Sequence, residues 1–175
     1  MLTESHFERL GLPRRFDLDR ASLEQQYLLR SRQLHPDAHQ LGTTAQQQAS
    51  LALSSALNEA YATLRDPFRR ADYLLHLLGG PSASELKDVP ADFLMEMLEL
   101  REQIDTADSD AQRALAETLA AREAQLVEQV GQRFAALTNQ PQAGTTDAAL
   151  LRQLRLTLNE WKYIQNLQRE LASRT

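Results

Sequence analysis

The tripeptide His35-Pro36-Asp37, here called the HPD tripeptide, is the feature of this chain that points most directly to a function. Pro36 fixes its own φ and keeps the residue before it out of helical conformation, so a helix must end there. His35 and Asp37 are then expected to project from a stiff loop. Asp37 can accept paired hydrogen bonds from a partner's arginine, and neutral His35 can donate one hydrogen bond and accept another. This chemistry recognises another protein, although the tripeptide alone is also compatible with simple capping of the preceding helix.

Other kinds of chemical site are not supported by the residue pattern. His35 and His39 are four residues apart, but Pro36 prevents a helix across them and no third metal ligand is evident. Gly79-Gly80 is too short for a phosphate-binding loop, and no serine has the strand–turn–helix context of a nucleophile. The chain has no cysteine, which excludes disulfides and thiolate ligation of metals or clusters. We therefore expect no catalytic residue, no metal site, no cofactor and no enzyme activity.

Composition and charge narrow the choice of partner. The 175 residues are 42% apolar and 25% charged, as in a soluble globular protein. The net charge of −5 comes from residues 79–175, which hold ten basic and fifteen acidic side chains. An acidic half repels nucleic acid and attracts basic proteins. We see neither a membrane-length apolar stretch nor a signal peptide, so we expect no membrane association and a cytoplasmic location.

The elements that must position the HPD tripeptide are predicted to be helices. Hydrophobic periodicity predicts a short helix containing Phe7 and Leu10, then helices over about 19–34 and 45–64, and a fourth that begins near Pro67. Thr44 and Gln47 have the spacing of a capping box at the start of the third helix. The core stripe of that helix is expected to contain Leu53, Ala56, Leu57, Ala60, Tyr61 and Leu64.

The C-terminal part is predicted to form an antiparallel three-helix bundle. Two glycines and Pro81 interrupt the helical pattern, and Asp88 is expected to cap a new helix whose first turn contains Pro90. Short connections between three long helices favour antiparallel packing. These helices are expected at about 90–106, 110–138 and 147–172. The predicted all-α organisation is an N-terminal domain over 1–78, a linker over 79–89 and the bundle over 90–175.

The first helix of the bundle has more apolar residues than one buried stripe can use. Projected at about 100° per residue, one set forms a core face, namely Phe93, Met97, Leu100 and Ile104. A second set, here called the outer face, fans away from the core and consists of Leu94, Met95, Leu98, Glu99 and Glu102. Leu156 is a similar misfit on the last helix. Exposed Leu and Met beside carboxylates are typical of a docking surface, but burial against the N-terminal domain or in a dimer explains the pattern equally well.

Several segments of the chain resemble known families. The helix before the HPD tripeptide, the helix ending in residues 58–67 (NEAYATLRDP) and the following segment 70–75 (RADYLL) resemble a J-domain, which activates a DnaK-type ATPase. Residues 7–13 (FERLGLP) and 93–102 (FLMEMLELRE) resemble diagnostic segments of the HscB co-chaperones of iron–sulfur cluster assembly. The likeness extends over nearly the whole chain. It implies an N-terminal J-domain joined to a scaffold-binding bundle.

The resemblance to the HscB family also implies partners and contact residues. The J-domain would engage the DnaK-type chaperone HscA, and the bundle would bind the cluster scaffold IscU, so the protein would deliver the scaffold and stimulate ATP hydrolysis. The implied chaperone contacts are Arg32, His35, Pro36 and Asp37. The implied scaffold contacts are Leu94, Met95, Leu98, Glu99, Glu102 and Leu156. Ala38 stands where the family usually has Lys or Arg, which removes one positive charge.

Two other functions are compatible with the same residues. One is a J-domain co-chaperone of a DnaK-type chaperone that serves a different client. The other is a structural helical protein whose outer face forms a homodimer, and weak self-association through this face is a further expectation.

Overall fold

The computed structural model describes residues 4–34, 43–139 and 147–174. Within these residues the chain forms seven helices and no strand, which agrees with the predicted all-α class. The helices are α1 (His6–Leu10), α2 (Arg20–Gln33), α3 (Thr44–Arg65), α4 (Pro67–Leu77), α5 (Ala91–Thr106), α6 (Ser109–Asn139) and α7 (Ala148–Ala172). Contacts divide the chain into two units, Met1–Leu74 and Leu75–Thr175.

The first unit is built around the packing of α1 and α2 on α3. α1 begins with a capping box, in which Ser5 and Glu8 satisfy each other's backbone N–H groups. It ends at Gly11, whose φ of 65° favours glycine. Its side chains Phe7 and Leu10 are fully buried, and the core also contains Leu23, Leu57, Ala60 and Leu64.

The start of α3 differs by one residue from the prediction. The hydroxyl of Thr43 accepts a hydrogen bond from the Gln46 N–H, and the Gln46 side chain accepts one from the Thr43 N–H at 2.8 Å. The predicted box of Thr44 and Gln47 is therefore wrong. Both pairs have the same spacing, because two threonines precede a run of glutamines, so the spacing could not distinguish them.

The core stripe of α3 is shorter than predicted. Leu57, Ala60 and Leu64 are buried, and Ala56 and Tyr61 are half-buried, but Leu53 is 48% exposed. The prediction for Leu53 is wrong because burial also requires a covering element. α2 reaches this part of α3 at Leu34, whose carbonyl accepts hydrogen bonds from Ser50 and Ser54, yet among the described residues nothing covers Leu53.

The second unit is an antiparallel three-helix bundle, as predicted. α5 and α7 run parallel, since Phe93 contacts Tyr163 edge-on and Arg101 pairs with Glu170 further along both helices. α6 runs in the opposite direction between them. The central side chain is Trp161, which is 2% exposed and donates a hydrogen bond from Nε1 to Glu123 Oε1 at 2.7 Å. Glu123 therefore satisfies the one polar group that this large buried ring carries.

The segment before α5 is fixed by α7 and not by a side-chain cap. Pro90 occupies the N-cap position without a side-chain hydrogen bond, so the predicted capping role of Asp88 is wrong. Instead, the Asn159 side chain donates to the carbonyls of Leu86 and Asp88 at 2.9 and 3.0 Å. The buried Arg155 donates from Nε to the carbonyl of Pro81 at 2.9 Å. The division of the chain at 79–89 stays a prediction. No helix among the described residues is long and apolar enough to cross a membrane.

Candidate functional site

α5 has one buried face and one exposed face, as its sequence predicts. Phe93, Met97 and Ile104 are at most 5% exposed, whereas Met95 is 60% and Leu98 is 56% exposed. The helix repeat separates these two sets, because residues three or four apart lie on the same side of a helix. The outer face is therefore a fixed surface on a helix whose opposite side is packed in the bundle core.

Leu94 lies on the flank of the outer face that is directed towards α7. It is half-buried and follows Phe93, whose ring contacts Tyr163 with centroids 6.1 Å apart. Arg101 lies on the same flank, with its Nε 3.6 Å from Oε1 of Glu170 on α7. The outer face thus extends from the half-buried Leu94 near α7 to the exposed Met95.

The outer face also carries a concentrated negative charge. α5 contains five acidic residues, Asp92, Glu96, Glu99, Glu102 and Asp105, and one basic residue, Arg101. Glu96 pairs with Arg122 of α6, and Asp105 pairs with Arg174. Among the described residues, Glu99 and Glu102 form no ion pair, and both are exposed. Two carboxylates therefore border Met95 and Leu98 and are available to a basic partner.

Leu156 does not lie level with the rest of the predicted scaffold contacts. Each residue of α5 lies beside the residue of α7 whose number is about 70 higher, as Phe93 with Tyr163 and Arg101 with Glu170 show. Leu94 is therefore level with Tyr163, and Leu156 lies about 10 Å closer to the start of α7. The neighbouring Arg155 contacts Pro81, which places Leu156 beside the segment before α5. Leu156 is half-buried there.

Tyr163 is an exposed aromatic residue that the sequence reasoning missed. Its side chain is 42% exposed and contacts Phe93 of α5 edge-on. It lies seven residues after Leu156, hence on the same side of α7, and its contact with Phe93 places it beside the first turn of α5. Its spacing of two residues from the buried Trp161 was the available signal, because that offset turns a helical side chain away from the core.

The predicted chaperone contacts are only partly within the described residues. Arg32 is exposed in the last turn of α2. His35, Pro36 and Asp37 lie outside the described residues, as does Ala38. Arg30 is half-buried with its guanidinium against Gly11, where a side-chain Cβ would be 2.3 Å from Nη2. Of the two arginines before the HPD tripeptide, Arg32 is therefore the one that faces solvent.

The part of the chain that the structure describes contains no group of three His, Cys, Asp or Glu side chains that could hold a metal ion. The outer face combines exposed apolar side chains of fixed position with carboxylates that form no ion pair among the described residues, an arrangement that can bind another protein.

Comparison with known proteins finds a family to which the bundle is similar. Residues 89–172 match the family model described as the HSCB C-terminal oligomerisation domain. A co-chaperone HscB homologue from Chromobacterium violaceum is 41% identical over 108 residues, which are 61% of this chain and 62% of that protein. The resemblance to the HscB family is confirmed. The alignment with this HscB homologue thus spans less than two thirds of its length.

Solved HscB structures extend the likeness to both units. Chaperone HscB from Vibrio cholerae matches with a TM-score of 0.80 and 27% identity, covering 97% of this chain and 96% of that one. Human HscB matches with a TM-score of 0.85 and 22% identity, covering 99% of this chain and 83% of that one. The predicted fold class, a J-domain followed by a three-helix bundle, is therefore confirmed.

Proposed function

We propose that this chain is an HscB-type co-chaperone that acts in the cytoplasm and is not itself an enzyme. Its bundle binds the iron–sulfur cluster scaffold IscU through the outer face of α5. Its J-domain binds the DnaK-type chaperone HscA through Arg32 and the HPD tripeptide. By bringing scaffold and chaperone together, it stimulates ATP hydrolysis and aids the assembly and transfer of iron–sulfur clusters.

The observation that carries this proposal is the exposure of Met95 and Leu98 on a helix whose other side is buried in the bundle. Two large apolar side chains on one fixed surface are an anchor for a partner, since burying them removes apolar area from water. Glu99 and Glu102 add a negative border that selects a basic partner surface. The match of residues 89–172 to the HscB bundle supports the scaffold as that partner.

The proposed mechanism is tethering followed by selection of one chaperone state. Binding of the scaffold to the bundle raises its effective concentration at the chaperone. The HPD tripeptide must then bind better to the chaperone state that hydrolyses ATP than to the other state. A ligand without such a preference does not shift the equilibrium between the two states. Asp37 can supply this preference by accepting a bidentate arginine contact.

Single-turnover ATP hydrolysis by an HscA-type chaperone with IscU present tests the proposal. The chain is expected to stimulate hydrolysis, and the His35→Gln variant is expected to lose most of that stimulation. The same variant should still bind IscU, because the substitution lies outside the bundle. Absence of stimulation by the wild-type chain would overturn the co-chaperone assignment.

The identity of the client is tested separately on the bundle. The Leu94→Ala/Met95→Ala double variant is expected to lose IscU binding in calorimetry while retaining its circular dichroism spectrum. A Leu51→Ala variant is the matched control, since Leu51 is 64% exposed on the first unit. Unchanged IscU binding by the double variant, with chaperone stimulation retained, would favour a J-domain co-chaperone with another client.

Self-association through the outer face is a second candidate function of the bundle. The description of the matching family model names oligomerisation, and the exposed Met95 and Leu98 are suited to a symmetric contact. Sedimentation at micromolar concentration separates the two candidates. A dimer that Met95→Ala converts to monomer would favour self-association, and a wild-type monomer that binds IscU would exclude it as the main role.

A further inference from the structure

Tyr163 of α7 is the only exposed aromatic side chain among the residues that the structure describes. The other Phe, Tyr and Trp side chains in these residues are buried or half-buried. The Tyr163 hydroxyl forms no hydrogen bond with a described residue, whereas those of Tyr27 and Tyr73 are both bonded within the first unit. A tyrosine combines a large apolar ring with a polar tip. In Tyr163 the fold leaves part of the ring and the whole tip available to a partner.

The ring of Tyr163 is nevertheless held in a defined position. It contacts the ring of Phe93 edge-on, with centroids 6.1 Å apart and an angle of 88° between the ring planes, a geometry that aromatic pairs favour. Phe93 is 5% exposed and belongs to the core face of α5. Because Tyr163 rests against a fixed residue, its side chain loses little freedom when a partner covers it.

The helix repeat shows which side of the bundle Tyr163 lies on. Glu170 follows Tyr163 by seven residues, hence on the same side of α7, and it pairs with Arg101 of α5. Arg101 in turn follows Leu94 by seven residues, hence on the same side of α5. Tyr163 and Leu94 therefore lie along the same edge between α5 and α7. This edge faces solvent, since the Arg101 side chain is 60% exposed.

We infer that Tyr163 is a further scaffold-binding residue, which extends the outer face of α5 onto α7. The inference rests on the proposed function. It assigns to the scaffold an apolar area that covers the Tyr163 ring and a polar group that bonds its hydroxyl. A single exposed tyrosine needs no such explanation, but Tyr163 shares its edge of the bundle with Leu94, one of the proposed contacts. Tyrosine is also among the residues that contribute most to binding at protein interfaces.

Calorimetric titration with IscU tests the inference on two substitutions of Tyr163. Tyr163→Ala is expected to weaken binding about five- to tenfold, because it removes the ring. Tyr163→Phe keeps the ring and its contact with Phe93, and it is expected to weaken binding roughly threefold through the loss of one hydrogen bond. Leu29→Ala is the control, since Leu29 is 52% exposed on the first unit, and it is expected to bind IscU as the wild type does.

The packing of the bundle is monitored in the same variants. Trp161 is the single tryptophan of the chain and is buried two residues before Tyr163. Its fluorescence emission is expected to be the same in the wild type, Tyr163→Ala and Tyr163→Phe. The hydroxyl of Tyr163 has no bond within the described residues, so a purely structural role of this residue predicts no loss of affinity in Tyr163→Phe.

A second measurement needs no substituted protein for the binding step. Of the four tyrosines, Tyr27, Tyr61 and Tyr73 lie in the first unit and Tyr163 alone lies in the bundle. In the wild-type chain with carbon-13-labelled tyrosine rings, the Tyr163 signal is assigned by its absence from the Tyr163→Phe spectrum. It is expected to shift when unlabelled IscU is added, while the other three tyrosine signals stay in place.

The outcomes separate this inference from the proposed function. An unshifted Tyr163 signal would overturn the inference alone, provided that IscU binds the wild-type chain. Wild-type affinity of Tyr163→Ala, together with loss of binding in Leu94→Ala/Met95→Ala, would do the same and would confine the scaffold contact to α5. A wild-type chain that does not bind IscU would instead overturn the proposed function and the role of Tyr163 with it.

Discussion

Exposed apolar side chains occur on both α3 and α5, but they have different origins in the two helices. Leu53 of α3 continues the stripe of Leu57, but it is 48% exposed because no element among the described residues covers it. Met95 of α5 is exposed because it points away from a core face that is already packed. The exposure of Leu53 therefore depends on its neighbours, whereas that of Met95 follows from the repeat of its own helix. Exposure of the second kind is the better guide to a binding surface.

The largest expected effect is the loss of stability on replacing Met97 of α5, which contrasts with the small effect expected for Met95 on the same helix. Met97→Ala should lower the free energy of unfolding by about 2–5 kcal/mol, because Met97 is 2% exposed and its removal leaves a cavity. Met95→Ala should change it by less than about 0.5 kcal/mol. Urea denaturation followed by circular dichroism measures both. Similar costs for the two variants would show that Met95 is part of the core, and the distinction between the faces of α5 would be lost.

The next largest effect is expected on IscU binding, and it distinguishes the exposed Leu98 of α5 from the exposed Leu53 of α3. Leu98→Ala should weaken IscU binding about tenfold, which corresponds to ~1.4 kcal/mol, because Leu98 belongs to the proposed anchor of the outer face. Leu53→Ala removes the same atoms from a side chain of similar exposure and should leave the affinity unchanged. Calorimetric titration measures both affinities. Equal weakening by both substitutions would contradict the assignment of the binding surface to α5.

The same contrast explains what the sequence could and could not predict. The two faces of α5 follow from its own repeat, so Met95, Leu98 and Met97 were assigned correctly without knowledge of any neighbour. The exposure of Leu53 depends on which elements cover α3, and the repeat of α3 contains no information about them. Tyr163 was missed for a related reason, since its link to α5 depends on the register between two helices.

Hydrogen bonds between residues far apart in the chain were the other feature that could not be predicted from the sequence. The segment before α5 was expected to depend on a local cap by Asp88, but Asn159 holds it from 71 residues away. The bonds from Ser50 and Ser54 to Leu34 span 16 and 20 residues. Short-range rules located the helices themselves, because the apolar residues that define a helical face are three or four residues apart. They contain no information about which distant side chain completes a backbone group.

A smaller effect is expected from the acidic border of the outer face. Glu99→Gln/Glu102→Gln should slow association with IscU a few-fold at low salt, because these carboxylates attract a basic partner before contact. The difference from the wild type should disappear as ionic strength rises, since exposed charges are screened. Stopped-flow association rates at several salt concentrations measure this. A faster dissociation rate as the main change would contradict a steering role and indicate buried contacts instead.

The smallest expected effect concerns Glu160 of α7, which interacts electrostatically with Arg122 and Arg133 of α6 and with Glu96 of α5. Burial raises the pKa of Glu160, and Glu96 adds to this, while Arg122 and Arg133 oppose it. The folded state then binds the proton more tightly than the unfolded chain does, so stability is highest below the unfolded pKa of the carboxyl. It falls as the pH rises through the folded pKa.

Glu160→Gln removes this titration and should flatten the decline of the melting temperature between acidic and neutral pH. The variant should be more stable than the wild type at pH 7, by less than about 1 kcal/mol because solvent screens a half-buried charge. Glu99→Gln is the matched control, since Glu99 is exposed. A variant less stable than the wild type at neutral pH would mean that the attraction of Arg122 and Arg133 outweighs the cost of burial. In that case Glu160 would stabilise the bundle as a carboxylate, and the charge of α7 would support the packing behind the outer face.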